Sequence, residues 1–321
     1  RILAAAGVEE AASGHPGMPL GMADVGTVLY KKFLKVSTHN PSWINRDRFI
    51  LSPGHGSMLL YSLLHLNGFD LTTEDLKNFR QHNSKTPGHP ELDSSLGIDM
   101  TTGPLGQGFS TGVGFALAEK YLSELLGEDM IDHFTYGIVS DGDLMEGVSF
   151  EAAELAGVWQ LGKLIYVFDN NNISIDGRVT KVSITDQKKK FESIGWHVLE
   201  IDAHNEDEIN QALESAKLVT DKPSIIMAKS IIGKFAPNKQ DTSGVHGSPL
   251  GSEEMEKFKE NLQWEGDVFQ HDVEVYDYFA EKRDQDNSQF SDWEKSFKAK
   301  YNNDEKFQKN WDLLTSNEVL L

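Results

Sequence analysis

The chain has 321 residues, of which 39% are hydrophobic and 25% charged, so it can bury a large core without disulfides or structural metals. Its formal net charge of −20 makes the surface as a whole repel nucleic acids and anionic membranes, and we expect neither as a partner. The absence of cysteine excludes disulfides and thiolate metal sites, and leaves oxygen and imidazole ligands for any metal.

The sequence contains neither a recognisable membrane segment nor a secretion signal. No stretch approaches the roughly 20 apolar residues that a membrane helix requires, and residues 1–6 lack the regions of a signal peptide. We therefore expect a cytoplasmic protein. The chain has no initiator Met and residues 1–12 already have helical character, so we also expect both ends to be cuts in a longer polypeptide.

The segments before residue 100 are predicted to form helices and long loops that cover one end of a sheet. After residue 108, short β-branched or aromatic runs alternate with longer amphipathic runs, a pattern typical of βαβ units and a parallel sheet. Helices are predicted at 109–125, 145–158, 185–193 and 206–219, and strands at 134–140, 163–169, 195–201 and 223–229. The predicted fold class is α/β, a three-layer sandwich with a mostly parallel sheet and helices on both faces.

The composition changes at about residue 252, where charged and amide residues begin to dominate and aromatic residues become widely spaced. We predict that residues 1–251 form the functional domain. Residues 252–321 are predicted to form a helical or extended arm that packs on a neighbouring domain.

Acidic residues follow the predicted strand at 134–140, in the sequence VSDGDLMEGV (139–148). Asp141 and Gly142 come at the carboxyl edge of the sheet, where open α/β folds bind ligands. Gly142 allows a close approach of the backbone to an anion, which the start of the following helix favours. A carboxylate beside an anion requires a cation between them, so Asp141 is a candidate ligand of Mg²⁺ or Ca²⁺. Asp143 is predicted to cap the helix.

The next strand ends in a second polar segment, VFDNNNISIDG (167–177), at the same edge of the sheet. Asn171 and the backbone carbonyl of Ile173 are candidates for the remaining cation ligands. A single Asp-Gly-Asp at a strand end is more often a turn or a cap. Here the Asp-Gly-Asp segment occurs together with a second polar strand end and with the glycine loop TTGPLGQG (101–108). This combination favours a binding site.

These segments resemble the thiamine-diphosphate motif, and the surrounding sequence resembles transketolase in particular. The resemblance runs in order from residue 1 to about residue 251. Its most specific segments are SGHPGMPLGMAD (13–24), RDRFILSPGHGSMLLYSLLHL (46–66), TPGHPE (86–91), TTGPLGQG (101–108) and GVHGSPLG (244–251).

The resemblance implies a thiamine diphosphate-binding fold and a set of cofactor contacts. It implies that Asp141, Asn171 and the Ile173 carbonyl hold Mg²⁺ or Ca²⁺ against the cofactor diphosphate, with the amide of Gly142 on a phosphate oxygen. Three further residues are expected to line the cofactor, with Leu105 near the thiazolium and Asp169 near its positive charge: Gly103, Leu105 and Asp169.

Four histidines share a His-Gly or Gly-His context in separate loops, which favours a functional role over the structural role that a single histidine more often has. The resemblance places His55 and His246 on the diphosphate side, and His15, His89 and His246 near the reacting carbon and the sugar hydroxyls. Imidazole suits proton transfer near neutral pH. The histidines without such a context are predicted to be structural: His65, His133, His197, His204 and His271.

Glu146 and Glu151 are predicted to share the helix that follows the acidic loop. By their position alone, both are expected on a solvent-exposed face of that helix. The resemblance instead places both in a buried network that links the two active sites of a dimer. On that basis we include Glu146 among the predicted catalytic residues. Met145 and Trp159 are predicted to belong to the core.

Three positions depart from the pattern of the family. Ser140 stands where a glycine is usual, and we expect a small residue to fit there if its dihedral angles are ordinary. Lys234 stands where an aromatic residue is usual, and Asp241 where glycine is usual. Both lie in the loop that carries His246.

The resemblance implies transfer of a two-carbon ketol unit from a ketose phosphate such as xylulose 5-phosphate to an aldose phosphate such as ribose 5-phosphate, in the pentose phosphate pathway. The complete enzyme is expected to be a homodimer. The carboxylate that activates the cofactor comes from a pyrimidine-binding domain in the family, and nothing after residue 252 resembles that domain. We therefore expect no turnover by this chain alone. Two alternatives are a ketol transferase similar to dihydroxyacetone synthase and a binding module without catalysis.

Overall fold

Five parallel strands form the central sheet of the computed structural model, which describes residues 1–316. The chain's strands are β1 (Arg48–Leu51), β2 (Thr135–Ser140), β3 (Leu164–Asn170), β4 (Ile173–Ser174), β5 (Gly177–Arg178), β6 (His197–Asp202) and β7 (Ser224–Lys229). The sheet has the order β1-β2-β3-β7-β6, and β4 and β5 form a separate antiparallel hairpin.

Helices lie before, between and after the strands, and they cover both faces of this sheet. They are α1 (Ile2–Glu10), α2 (Gly17–Val28), α3 (Ser57–Leu66), α4 (Thr73–Lys77), α5 (Gln107–Leu126), α6 (Asp141–Met145), α7 (Gly147–Val158), α8 (Gln187–Ser193), α9 (Glu206–Leu218), α10 (Ser252–Asn261), α11 (Val273–Asn303) and α12 (Glu305–Thr315). A π-helical turn extends α2 at Leu29–Phe33, and short 3-10 turns lie at Gly54–Gly56, Val179–Lys181 and Ser243–Val245.

Alternate residues of β3 belong to two different hydrophobic clusters. Tyr166 and Phe168 pack with α5, α7 and α8, whereas Ile165 and Val167 pack with α2, α3 and α9. All four side chains are at most 2% exposed. Because successive side chains of a strand point to opposite faces, a strand buried on both faces reads as a continuous apolar run. The predicted three-layer α/β sandwich is confirmed.

The strands and helices predicted after residue 108 match the structure to within a few residues, except that one helix is interrupted and the short hairpin β4–β5 was not predicted. Before residue 108, the strand β1 was not predicted, because it has only four residues, begins at the charged residue Arg48 and pairs with residues far along the chain, at Thr135–Ile138. The helix predicted at 145–158 is interrupted at Glu146, whose φ of −72° and ψ of 136° are extended.

The arm after residue 252 is helical and contacts the preceding part of the same chain. The side chain of Asn287 in α11 accepts hydrogen bonds from the Ser37 hydroxyl at 2.9 Å and the Thr38 amide at 3.0 Å. The indole of Trp293 donates to the Met130 carbonyl at 2.9 Å. The domain division at residue 251 stays a prediction, and residues 317–321 of the predicted arm lie outside the described residues. No helix between residues 1 and 316 is long and apolar enough to cross a membrane.

We expect Asn287→Ala to lower the free energy of unfolding by about 1–3 kcal/mol, because it leaves the buried donors of Ser37 and Thr38 without their acceptor. Urea denaturation followed by tryptophan fluorescence measures this change. Gln289→Ala removes an exposed amide from the same helix and is the matched control. Equal free energies for the two variants would mean that the Asn287 contacts do not anchor the arm.

Candidate functional site

A cleft of about 280 Å³ lies at the carboxyl edge of the sheet, where β2 and β3 end side by side. The structure brings together at this cleft every predicted site residue except His89 and Glu146. The predicted residues that line it are His15, His55, Gly103, Leu105, Asp141, Gly142, Asp169, Asn171, Ile173 and His246. Met18, Ile175 and Ile232 add an apolar wall.

The buried carboxylate of Asp143 connects three segments around this cleft. One oxygen accepts hydrogen bonds from the Ser52 hydroxyl at 2.7 Å and the Gly106 amide at 2.8 Å, and the other accepts from the amide and hydroxyl of Ser140 at 2.9 and 2.8 Å. Asp143 and Ser140 form a capping box at the start of α6, which confirms the predicted cap. Gly106 has a φ of +78°, a conformation that glycine adopts without strain.

Asp141 is placed by this cap at the first position of α6, with its side chain in the cleft. Its residue is 9% exposed, and its Oδ2 atom has no hydrogen-bond partner within residues 1–316. Burial, reinforced by the charge of Asp169, raises the pKa of Asp141 to about 7. A buried carboxylate without a partner is costly, and a cation in the cleft would offset that cost. Asp141 therefore has the environment expected of a cation ligand.

Asp169 and Asn171, at the end of β3, add further polar side chains next to Asp141 in the cleft. Asp169 accepts hydrogen bonds from the Ser230 hydroxyl and, at 2.9 Å, from the amide of Asn171. The side-chain oxygen of Asn171 accepts from the backbone amide of Ile173 at 2.8 Å. Burial raises the pKa of Asp169 to about 6, although the bonds from Ser230 and Asn171 oppose this rise.

Three of the four predicted histidines converge from separate loops on one side of the cleft, and the fourth, His89, lies behind the glycine loop. The ring centroids of His15, His55 and His246 lie 5.1–5.6 Å from one another. His89 packs against Gly103, where an added Cβ would lie 3.3 Å from the His89 ring. Burial and the neighbouring imidazoles lower the pKa of His55 to about 3, while burial, His246 and Arg80 lower that of His15 to about 4. These lowered pKa values favour neutral imidazoles at pH 7 for His15 and His55, which can then accept hydrogen bonds.

Two polar residues near the cleft were missed in the sequence. Ser230 follows β7 directly and could have been found as a third polar residue at a strand end, because β7 pairs with β3. Arg80 donates to the Ser13 hydroxyl at 2.8 Å, and its charge also helps burial to lower the pKa of His89. A single arginine in a loop carries no sequence signal for this position.

Several predictions for residues outside the cleft are corrected or located by the structure. Met145 and Trp159 are 41% and 36% exposed, so their assignment to the core was wrong. Met145 is the last residue of α6, and Trp159 directly follows α7. The last residue of α7, Val158, is also apolar and is 75% exposed. Glu146 and Glu151 are exposed, and they do not share a helix because the chain is extended at Glu146.

The histidines predicted to be structural do not line this cleft in the described part of the chain. His65 bonds to the Leu71 carbonyl at 2.7 Å, and His204 bonds to Asp24 at 3.0 Å and accepts from the Ile231 amide at 3.1 Å. Their partners are backbone groups and a side chain that do not line the cleft.

The three residues that depart from the family pattern have the following conformations and contacts. Ser140 has ordinary extended angles, with φ −111° and ψ 171°, as expected for a small residue at this position. Asp241 has a φ of +60°, in the left-handed region that favours glycine, and it forms an ion pair with Arg178 at 2.8 Å. The ammonium of Lys234 lies 5.5 Å from the ring centroid of Phe235.

A larger cleft, of about 500 Å³, lies elsewhere, between α5 and the residues that precede β3. Its charged residues include Glu119 and Lys163, which form an ion pair at 2.6 Å. It is lined by neither the glycine loop nor the polar ends of the strands. We therefore place the candidate site at the smaller cleft.

Comparisons with known proteins identify the family to which the chain is similar. The family described as "Transketolase, thiamine diphosphate binding domain" matches residues 1–317. The chain is 50% identical over 303 residues to transketolase 1 of Escherichia coli K12, covering 93% of this chain and 46% of the relative. A crystal structure of transketolase from Campylobacter jejuni matches with a TM-score of 0.92 and 45% identity over 98% of this chain and 49% of its own.

A second structural relative contains a ligand. It is a crystal structure of transketolase from Pichia stipitis in complex with sedoheptulose-7-phosphate, with a TM-score of 0.93 and 41% identity over 98% of this chain and 47% of its own. The chain thus spans about half the length of the relatives that it matches.

We expect His55→Gln to reduce the loss of stability of the chain on acidification. A histidine whose pKa is lowered by folding contributes stability that is fully present above its unfolded pKa of about 6.5 and is lost as the pH falls toward the folded value. Between pH 7.5 and 5.0, His55 should account for a loss of about 1–2 kcal/mol, since one pKa unit corresponds to about 1.4 kcal/mol. Urea denaturation of wild type and variant at both pH values measures this difference.

The control for this experiment is His82→Gln, which removes an exposed imidazole from a loop of the same chain. It is expected to retain the wild-type dependence on pH. An unchanged dependence in His55→Gln would contradict the assigned environment of His55.

Proposed function

This chain belongs to the transketolase family, matching its thiamine diphosphate-binding domain, and from that premise we propose that its cleft binds the diphosphate end of thiamine diphosphate through a divalent cation. The observation that carries the proposal is the buried, unpartnered oxygen of Asp141 at the carboxyl edge of the sheet, in residues 1–316. A cation between this carboxylate and a diphosphate would compensate both charges.

The donors around Asp141 suit a hard divalent cation. Asp141, the side-chain oxygen of Asn171 and the backbone carbonyl of Ile173 would hold Mg²⁺ or Ca²⁺, with phosphate oxygens and water as the other ligands. Asn171 now accepts a hydrogen bond from the Ile173 amide, so its oxygen already lies beside the hairpin that carries Ile173. The amide of Gly142 would bind a phosphate oxygen at the start of α6.

The remaining wall of the cleft would bind the thiazolium part of the cofactor. Gly103 and Leu105 would line it, with Leu105 near the ring, and Asp169 would lie near the positive charge of the ring. Asp169 is 1% exposed, so its charge would act with little screening by water. When bound, thiamine diphosphate supplies a carbon nucleophile and an electron sink for cleavage of a carbon–carbon bond next to a carbonyl.

The histidines would take part in proton transfer at the oxygens of the substrate. His15, His89 and His246 would accept and return protons at the carbonyl and hydroxyl oxygens, and His55 with His246 would also contact the diphosphate. Burial lowers the pKa values of His15 and His89, so both imidazoles are neutral near pH 7 and can accept a hydrogen bond from a substrate hydroxyl. The grouping of these side chains around the cleft supports the proposal.

We propose that the reaction is the transfer of a two-carbon ketol unit between sugar phosphates, from xylulose 5-phosphate to ribose 5-phosphate, in the cytoplasm. The sugar phosphate bound to the Pichia stipitis relative supports this substrate class. The chain would act with a pyrimidine-binding domain that supplies the carboxylate for cofactor activation, in a homodimer of the complete enzyme. Glu146 would take part in the network that links the two active sites of that dimer.

Exposed apolar side chains near the cleft support the proposal that another domain covers this surface. Ile175, Val182 and Ile184 are 72%, 72% and 98% exposed, and Ile175 also lines the cleft. Apolar surface of this kind at the mouth of a site is typical of a surface that another domain covers.

We expect Asp141→Asn to weaken divalent-dependent binding of thiamine diphosphate by about 100-fold or more, since loss of even an outer-shell partner of a metal costs 10–100-fold. Calorimetric titration of the complete enzyme with thiamine diphosphate and Mg²⁺ measures the affinity. Asp176→Asn removes an exposed carboxylate from the nearby hairpin and is the matched control. Wild-type affinity in Asp141→Asn would refute the cation site.

We also expect no sustained ketol transfer by this chain alone, because the carboxylate that activates the cofactor would come from the pyrimidine-binding domain. A steady-state assay with xylulose 5-phosphate and ribose 5-phosphate tests this, with and without the missing domain added. Continued turnover by the chain alone would show that the chain carries the whole active site.

A further inference from the structure

Two segments that touch each other both contribute residues to the proposed cofactor cleft. One is the hairpin β4–β5 with its following turn, residues 173–182, whose Ile173, Ser174 and Ile175 line the cleft. The other is the loop 231–250, which contributes Ile232 and His246. The relative position of these two segments determines the distance between Ile173, a proposed cation ligand, and His246.

A bidentate ion pair joins the two segments. The guanidinium of Arg178 donates from Nη1 and Nη2 to the two carboxylate oxygens of Asp241, each at 2.8 Å, and Nη2 also approaches the Asp241 carbonyl at 3.4 Å. A two-point contact between planar groups restricts orientation as well as distance. In the part of the chain that the structure describes, these are the only hydrogen bonds between residues 173–182 and 231–250.

The loop side of this contact is firmly attached to the body of the domain. The buried carboxylate of Glu254 in α10 accepts from the backbone amides of Asn238 and Lys239 at 2.8 and 3.2 Å, and the Gly233 amide donates to the Gly17 carbonyl at 2.8 Å. The Asp241 amide donates to the Ile232 carbonyl at 2.9 Å. Asp241 is therefore held by its backbone, and its side chain is a fixed acceptor.

The hairpin side makes fewer hydrogen bonds to the body of the domain, and it is anchored there mainly by the buried side chain of Ile173 at its first residue. Its strands pair over two residues each, and the hydroxyl of Ser174 reaches the Gly177 carbonyl at 3.3 Å. The amide of Val179 bonds to the carbonyl of Asn172 at 3.0 Å, within the same segment of chain. A two-stranded hairpin has little stability of its own in water, so its position depends on contacts with its surroundings.

We propose that Arg178 and Asp241 form a latch that holds the hairpin 173–178 against the loop 231–250 and so retains the cofactor in the cleft. The inference rests on the proposed function, because it assigns a role in binding at that same site. Both residues are positioning residues, since neither lines the cation end of the cleft. The latch closes when the ion pair forms and opens when the hairpin moves away, which exposes the cation side of the cleft to solvent.

The size of the effect follows from the exposure of the pair. The side chains of Arg178 and Asp241 are 43% and 54% exposed, so the pair is worth at most what a well-oriented surface ion pair contributes. We expect loss of either charge to raise the dissociation rate of thiamine diphosphate by about 2–5-fold. The wild-type rate should approach that of the variants at 1 M salt, where the Debye length falls to about 3 Å.

Hydrogen–deuterium exchange on this chain without cofactor tests the latch independently of any binding. Arg178→Gln and Asp241→Asn should each increase exchange in residues 173–182, and the double variant should add no further increase. Lys181→Gln is the matched control, because Lys181 lies in the same turn and has no ion-pair partner within residues 1–316. Wild-type exchange in both single variants, or an equal increase in the control, would overturn the latch.

Asp241→Gly separates a latch from a merely structural contact. Its φ of +60° suits glycine, so this variant should keep or raise the thermal unfolding temperature of the chain while it loses the ion pair. A latch predicts faster exchange of the hairpin and faster cofactor release in Asp241→Gly despite unchanged stability. Unchanged exchange and release would overturn the proposal.

Cofactor release is measured on the complete enzyme with Mg²⁺, by stopped-flow dilution of the preformed complex. Exchange that increases while the release rate stays at the wild-type value would overturn the role in retention. If wild-type enzyme binds no thiamine diphosphate at all, the proposed function fails, and the exchange data still report whether the latch exists.

Discussion

The buried carboxylate of Asp143 is the interaction on which the geometry of the site depends. It accepts hydrogen bonds from Ser52 after β1, Gly106 before α5 and Ser140 at the end of β2. Asp143 is fully buried, so each of these donors offsets part of the cost of removing a charge from water. Three loops are fixed relative to one another by one side chain. Asp141, two residues earlier, takes its position in the cleft from this arrangement.

Burial in the same cleft has opposite effects on the acidic and the imidazole side chains. It raises the pKa values of Asp141 and Asp169 and lowers those of His15 and His55, because a poorly solvated environment disfavours every charged form. The acidic side therefore favours a cation, and the imidazole side stays neutral and able to accept hydrogen bonds. A cofactor with an anionic diphosphate and a cationic ring matches this division when a divalent ion accompanies it.

The sequence allowed the sheet after residue 108 and most of the cleft to be predicted, because those features depend on short-range patterns. The strand at 163–169 is a continuous apolar run, and the polar ends of neighbouring parallel strands must meet at one edge. The strand β1 was missed because its pairing with β2 connects segments far apart in the chain. Arg80 was missed because its proximity to His15 and His89 arises only from the packing of separate loops.

Composition and motif spacing by themselves determined the fold class, and they predicted a binding site at the carboxyl edge of the sheet, built from acidic, amide and glycine residues. Only the tertiary structure decided that Glu146 interrupts a helix, that Met145 and Trp159 are exposed and that Arg178 reaches Asp241. The physical reason is the distance along the chain over which each interaction acts. Helix and strand periodicity depends on neighbours within a few residues, whereas burial and ion pairing depend on which distant segments pack together.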